Sequence, residues 1–191
     1  MARKRILTKD EVINEAFEIV KASGLSSLNV RLLAKRLLTS TQPIFTLFPS
    51  TSEIENEVKK KAYSLYENLG KEALSQKNKP FQALGEAYIG FASSYPHLFA
   101  LLFMSENDST VDSFLLDPNR ELILDDIKNE YGLDEPFGGR FYFESWIFTH
   151  GLAVTLVTKT MTISKKELPL LLHEAIRGIY LSIKEEMEKS K

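Results

Sequence analysis

An all-α fold in two parts is predicted by three features of the chain. Apolar residues recur at three- and four-residue steps in segment after segment, which is the spacing of a helix that buries one face. Hydroxyl-led capping signals open several of these segments, and glycines such as Gly24 and Gly132 close them. The charge is split: residues 1–50 carry eight Lys and Arg against four Asp and Glu, whereas the remainder carries sixteen against twenty-two. A basic N-terminal module on an acidic body suits a molecule that meets phosphate at one end only. At 191 residues the chain has room for one large domain or two small ones sharing an interface.

Taken in order, Arg3, Lys4 and Arg5 form a short basic arm of the kind usual at a mobile terminus. Thr8 and Glu11 then offer a capping box. Ile13, Ala16, Phe17 and Val20 follow on one face, so a helix runs to about Ala22 and Gly24 ends it in a left-handed cap. Residues 27–48 read as two short helices joined by a tight turn. The first has its stripe at Val30, Leu33, Ala34 and Leu37, and either Asn29 or Ser27 can cap it. Arg31 and Lys35, four apart and off the stripe, point together to solvent. The second begins near Ser40 or Thr41, with Pro43 tolerated in its first turn. Ile44, Leu47 and Phe48 face inward and leave Thr41, Gln42, Phe45 and Thr46 outside. That is the outline of a helix-turn-helix, whose second helix offers its N-terminal side chains to a major groove.

Residues 8–54 resemble the DNA-binding domain of the TetR family of bacterial transcription regulators. The run AFEIVKASGLSSLNVRLLAKRL followed by STQPIFTLFPSTSEI carries the resemblance, with its Gly24 turn, Ala34-Lys35-Arg36-Leu37 helix end, Ser40 cap, aromatic Phe45 and Phe48-Pro49-Ser50. Leu38 stands where the family usually has the turn glycine, Phe45 where it has tyrosine, and Thr51 where it has a lysine that meets the DNA backbone. The resemblance implies a helix-turn-helix domain over residues 1–50 and a helical ligand-binding and dimerisation domain over 51–191. It places Asn29, Arg31, Lys35, Ser40, Thr41, Gln42, Pro43, Phe45, Thr46 and Thr51 at the DNA-facing positions. An arginine fork such as Arg31 can pair bidentately with guanine, and Gln42 can do the same for adenine.

In the body, Thr51 and Ser52 can cap a long helix to about Ser75, striped by Ile54, Val58, Ala62, Leu65 and Leu69. The lysines at 59–61 read as its solvated face. A polar break at 76–79 precedes a helix from Pro80 to Ser94 with Phe81, Leu84, Ala87, Tyr88 and Phe91 inward. Tyr95-Pro96 interrupts it, and an apolar helix restarts over 97–104. Residues 105–113 read as a loop, and a helix over 115–131 is closed by Gly132. The segment from Phe137 to about Thr160 is apolar on nearly every side. Ser164 and Glu167 form a second capping box, opening a helix striped by Leu171, Ala175, Ile179 and Ile183. Two such C-terminal helices point to a homodimer through residues 137–189. The Trp146-to-Gly151 phrase resembles an element of many TetR-type C-terminal domains, and Gly151 would let partner helices approach closely.

A small-molecule effector is the companion expectation. The aromatic residues available for its pocket are Tyr88, Phe91, Tyr95, Phe99, Phe103, Tyr142 and Trp146, with His150, and more remotely His97 and Glu144, as polar groups. Such walls suit a hydrophobic or aromatic molecule.

Other classes fail on inventory. The three histidines are scattered, so no nucleophile–base pair forms. His173-Glu174-Ala175-Ile176-Arg177 lacks the second histidine of a zinc HExxH site, and no Glu-x-x-His supports a di-iron bundle. No enzyme activity, metal or cofactor is expected. With no cysteine, no membrane-length apolar run and no signal-peptide pattern, the sequence is that of a cytoplasmic protein with no membrane partner. The expected partners are double-stranded DNA, a second copy of the chain and the effector. The rival reading is a helical dimerisation or adaptor protein whose DNA-reading head has decayed.

Overall fold

A computed structural model of the chain describes residues 6–75, 79–104, 120–164 and 166–190. The basic arm at residues 3–5, most of the polar break at 76–79, the loop at 105–113 and the start of the helix expected from 115 lie outside these residues. The described residues form helices and no strand: α1 (Lys9–Ser23), α2 (Val30–Arg36), α3 (Thr41–Leu47), α4 (Thr51–Leu74), α5 (Pro80–Ser94), α6 (Pro96–Phe103), α7 (Arg120–Tyr131), α8 (Phe137–Thr158) and α9 (Glu167–Lys189), with a single 3-10 turn at Leu25–Ser27. None of the described helices is long and apolar enough to cross a membrane. The chain divides into two compact units, Met1–Leu65 with Tyr95–Ser105, and Tyr66–Ser94 with Glu106–Lys191. The first therefore runs past residue 50 along α4 and also takes in α6, because α6 packs on α1.

In the first unit the Thr8–Glu11 capping box forms in both directions, at 3.2 Å from the Glu11 amide to Thr8 Oγ1 and 2.9 Å from the Thr8 amide to the Glu11 carboxylate. Gly24 closes α1 with φ of +82°, but its ψ of 166° is extended rather than that of a left-handed cap. A Cβ there would sit 3.3 Å from the His97 ring on α6, so the close approach as well as the backbone needs glycine. Asn29, not Ser27, caps α2: its Oδ1 accepts from the Leu32 amide at 2.9 Å, while the Ser27 hydroxyl donates to the Ser23 carbonyl. Val30, Leu33 and Ala34 from α2, Ile44 from α3 and Val12, Ala16, Phe17, Ile19 and Val20 from α1 are buried in this unit, where α2 packs on both α1 and α3. Each large aliphatic side chain in such a core contributes about 1.5–3 kcal/mol over an exposed one. Lys61 lies 5.0 Å above the Phe17 ring and also donates to Asn14, and Lys60 pairs with Glu57 at 2.6 Å.

The turn between α2 and α3 is a Schellman motif. The Thr39 amide donates to the Ala34 carbonyl at 2.9 Å and the Leu38 amide to the Lys35 carbonyl at 3.3 Å, with Leu38 at φ of +55°. A leucine thus occupies a left-handed position that glycine fills at no steric cost, and its side chain is 89% exposed. Two expected caps are not formed. The Ser40 hydroxyl stands at the start of α3 without bonding the helix, and Ser50 rather than Thr51 or Ser52 accepts from the Glu53 amide at 3.3 Å to start α4.

In the second unit α5 and α9 both pack on α8, and α7 packs on α8 and α5. The core joins Phe81 and Ile89 of α5, Ile123 and Ile127 of α7, Phe141, Tyr142 and Leu152 of α8, and Leu172, Ile176 and Ile183 of α9. Phe81, Tyr131, Phe141 and Tyr180 form a connected ring cluster, with Phe141 centroids 5.3 Å from Phe81 and 4.8 Å from Tyr131. The first half of the buried stripe of α9 is shifted by one residue from the expected one: Leu172 and Ile176 face the core, whereas Leu171 is exposed and Ala175 half-buried, while Ile179 and Ile183 pack in the core as expected. Both Leu171 and Leu172 fit the period, so the sequence alone leaves that register open. The second capping box forms, with the Glu167 amide 3.2 Å from Ser164 Oγ and the Ser164 amide 2.9 Å from the Glu167 carboxylate. Outer faces of the last two helices stay apolar and exposed at Phe143, Ile147 and Phe148 on α8 and at Leu170, Leu171 and Leu181 on α9.

Replacing Leu38 by glycine relieves the left-handed backbone at the α2–α3 turn, and the added freedom of the unfolded chain offsets only part of that gain. Leu38→Gly is expected to stabilise the first unit by about 0.5–1 kcal/mol, read as a higher urea midpoint at unchanged slope. A lower midpoint would show that the exposed leucine makes a contact worth more than the backbone strain.

Candidate nucleic-acid interface and core cavity

Two surfaces carry the chemistry expected from the sequence, one in each unit. On the first, the buried residues Leu33, Ala34 and Ile44 fix α2 and α3 as a pair. This leaves Arg31, Lys35, Ser40, Gln42, Phe45 and Thr46 exposed, with Thr41, Pro43 and Thr51 half-buried. From Gly24 to Ser52 the sequence holds no acidic residue, a run that charge totals over fifty residues conceal. Arg36 points the other way and pairs with Glu15 of α1 at 2.9 Å. Arg31 and Lys35 enter no ion pair among the described residues, so their charge is unspent.

Several of the expected contact residues are engaged within the fold. Asn29 uses Oδ1 in the α2 cap and its Nδ2 lies 3.4 Å from the Ser27 carbonyl, which makes it a structural residue first. The Thr46 hydroxyl donates to the Gln42 carbonyl at 3.0 Å, so the threonine presents its methyl group outward unless that bond is exchanged. The Ser40 hydroxyl, unused as a cap, is free of that duty. Phe45 is 47% exposed beside these polar groups. A hollow next to them is lined by Ile6, Leu7, Leu38, Ser40, Gln42 and Thr46 among others.

In the second unit a cavity of about 30 Å³ opens between α4, α5, α8 and α9, above the ~10–15 Å³ that a water needs. Tyr66, Phe81, Leu84, Gly85, Tyr88, Tyr142, Ser145, Trp146, Thr149 and Ile176 line it. Three of the expected pocket residues, Tyr88, Tyr142 and Trp146, are among them. His150 joins them at one edge: its ring stacks on Trp146 at 5.0 Å between centroids and 10° between planes, and its Nδ1 is 2.8 Å from the Tyr88 hydroxyl. Phe91 is buried against Tyr66 instead, at 5.6 Å between centroids. Tyr95, Phe99 and Phe103 do not line the cavity; they belong to the first unit, where Phe99 is buried with its ring tilted against Phe103 at 5.1 Å between centroids. The helix break at Tyr95-Pro96 sends their segment to α1, which aromatic content alone could not show. Glu144 is held by Arg140 on the same helix at 2.7 Å, and His97 lies at Gly24.

The residues missed from the sequence are Tyr66, Phe81 as a wall, Leu84, Gly85, Ile176 and above all Ser145 and Thr149. A signal for the last two exists: they are hydroxyls four apart on a helix otherwise apolar on almost every face. Thr149 Oγ1 donates to the Ser145 carbonyl at 2.7 Å, whereas Ser145 Oγ is buried with no partner.

Burial pushes the His150 pKa below its ordinary value, since a half-buried imidazole loses hydration on charging. The unfolded chain therefore takes up the proton first, and folding stability falls as pH drops below about 6.5. Wild type should lose more stability than His150→Gln between about pH 7 and pH 5, measured by urea unfolding. Parallel curves would mean that His150 titrates alike in both states.

No known family matches the sequence, and no curated protein does. Among solved structures, one titled as a protein with unknown function from Rhodococcus sp. RHA1 is similar in fold, with a TM-score of 0.72 at 14% identity, over 95% of this chain and 98% of that chain. At that identity the likeness is one of fold: this helical arrangement along nearly the whole chain.

Proposed function

We propose that the chain is a DNA-binding transcriptional regulator of the TetR type, a repressor acting as a homodimer on a palindromic operator and released by a small hydrophobic or aromatic effector. The observation that carries the reading is the α2–α3 surface. Two short helices are locked by a buried seam, their outer side is free of acid for nearly thirty residues, and Arg31, Lys35 and Gln42 stand exposed on it. That combination supplies a rigid element, a positive field and base-reading side chains together. Self-association is supported by the exposed Phe143, Ile147, Phe148, Leu170, Leu171 and Leu181, a larger apolar display than one stray side chain. Gly151 and Gly178 have open space where a Cβ would point, as an approaching helix requires. Two heads roughly 34–36 Å apart would then fit successive major grooves.

The exposed apolar pair Leu38 and Phe45 on the same surface favours a second reading, an adaptor whose head meets protein instead of DNA. Salt separates the two. A DNA reader should lose affinity steeply as salt rises, at a logarithmic slope of about −0.9 for each phosphate neutralised, whereas protein contact through apolar groups responds weakly. Selection of bound duplexes from genomic fragments supplies the probe. On the selected site Arg31→Ala should cost about 1–3 kcal/mol and relax preference at one base pair per half-site; an equal loss on all sequences would make Arg31 a backbone contact.

A charge on the apolar outer face tests the dimer. Ile147→Arg should turn the chain into a folded monomer in sedimentation and weaken operator binding with it. A variant that stays dimeric would move the interface elsewhere.

A further inference from the structure

The threonines of α8 show what a hydroxyl on this helix ordinarily does, whether buried as at Thr149, half-buried as at Thr155 or exposed as at Thr158. Thr149, Thr155 and Thr158 each donate to the carbonyl four residues back, at 2.7–2.8 Å. Ser145 does not. It is 2% exposed, lines the cavity, and its hydroxyl makes no hydrogen bond. A buried hydroxyl facing a cavity in that condition is a group that gains from a partner brought by something else.

The rest of the wall restricts what that partner is. None of the ten lining residues is charged, so an anion would find no cation and an ammonium no carboxylate to offset its lost hydration. Half of them carry aromatic rings, and the face that would best attract a cation, the Trp146 indole, is already covered on one side by the His150 ring. Burial holds that imidazole toward its neutral form. Tyr66, Leu84, Gly85 and Trp146 are the less buried members of the wall, while Ser145 and Thr149 are buried. The free volume is small, so an occupant must be slim and must part the rings of Tyr66 and Trp146 as it enters.

We infer that this cavity takes a neutral, flat, single-ring molecule carrying one hydrogen-bonding group, and that Ser145 reads that group. The inference rests on the cavity being the effector site of the proposed regulator, but its chemistry is measured without DNA. The probes are phenol, toluene of nearly the same shape, benzoate and phenyltrimethylammonium, titrated calorimetrically into the full chain. The emission of Trp146, the chain's single tryptophan, reports whether heat arises at this cavity. Phenol should bind about tenfold more tightly than toluene, the value of one hydrogen bond made in place of an unmade one, and both ions more weakly than phenol. In Ser145→Ala the phenol and toluene affinities should converge to within about twofold. That variant should also melt at a higher temperature than wild type when empty, because it removes an unpaired buried hydroxyl.

Tighter binding of either ion, a hydroxyl preference that survives in Ser145→Ala, a lower melting temperature of that variant, or no binding of any probe would each overturn the inference. Should Ser145→Ala fail to fold, the phenol-to-toluene comparison in the native chain still decides it. DNA release is scored separately. Phenol bound through Ser145 with no DNA affinity at all would sink the regulator and leave the cavity's chemistry standing, whereas an operator bound by a chain indifferent to phenol would do the reverse.

Discussion

A helix that is apolar on almost every side cannot rest against one neighbour, and the second unit is built around meeting that demand for α8. One side takes α5 and α7, through Phe141 and Tyr142 against Phe81, Ile123 and Ile127; another takes α9, through Leu172, Ile176 and Ile183. A third holds the hydroxyls of Ser145 and Thr149 against the cavity. What is left, Phe143, Ile147 and Phe148, stays partly exposed. The burial of a large apolar side chain is worth about 1.5–3 kcal/mol. The two faces packed on α5, α7 and α9 hold the unit together.

The first unit solves a different problem, since α2 and α3 have seven residues each and neither length would persist alone in water. Their permanence comes from outside themselves: the Asn29 cap, the Schellman turn at Leu38, the packing of α2 on α1 and α3, and the burial of Leu33, Ala34 and Ile44. Packing uses the inward side chains fully, so those facing outward are left to serve another purpose. A short helix held in this way presents Gln42 and Arg31 with little conformational entropy to lose in the backbone, which is the condition for a directional contact.

Most elements were legible because they obey local rules. The capping boxes at Thr8 and Ser164, the break at Tyr95-Pro96 and the stripe of α2 each follow from residues within a turn of one another. What could not be read depended on distant partners. Leu171 and Leu172 are interchangeable on periodicity, and only the position of α8 and α5 selects the second. Phe99 and Phe103 look like Tyr88 and Trp146 in composition, yet the backbone carries them to α1. Ser40 and Ser50 are equally good caps on paper, and the chain uses only Ser50. The cavity escaped for the same reason: aromatic walls are recognisable in a sequence, whereas an unpaired hydroxyl among them exists only once every neighbour has been placed.

Two exceptions to local rules, besides those at Lys79, Lys159 and Arg120, fall at the two surfaces for which function is proposed. Leu38 occupies a backbone region that costs a leucine roughly 1–2 kcal/mol, and it does so beside the exposed residues of α2 and α3. Ser145 leaves a buried hydroxyl unmatched on a helix where three threonines show how easily it could have been matched. A fold selected for stability alone would replace the first with glycine and the second with alanine, and neither change requires any neighbour to move. Proteins tolerate such departures chiefly where a ligand or partner supplies the missing interaction. On that logic the turn and the cavity are connected by the same physical argument. Each departs from what local stability alone would select.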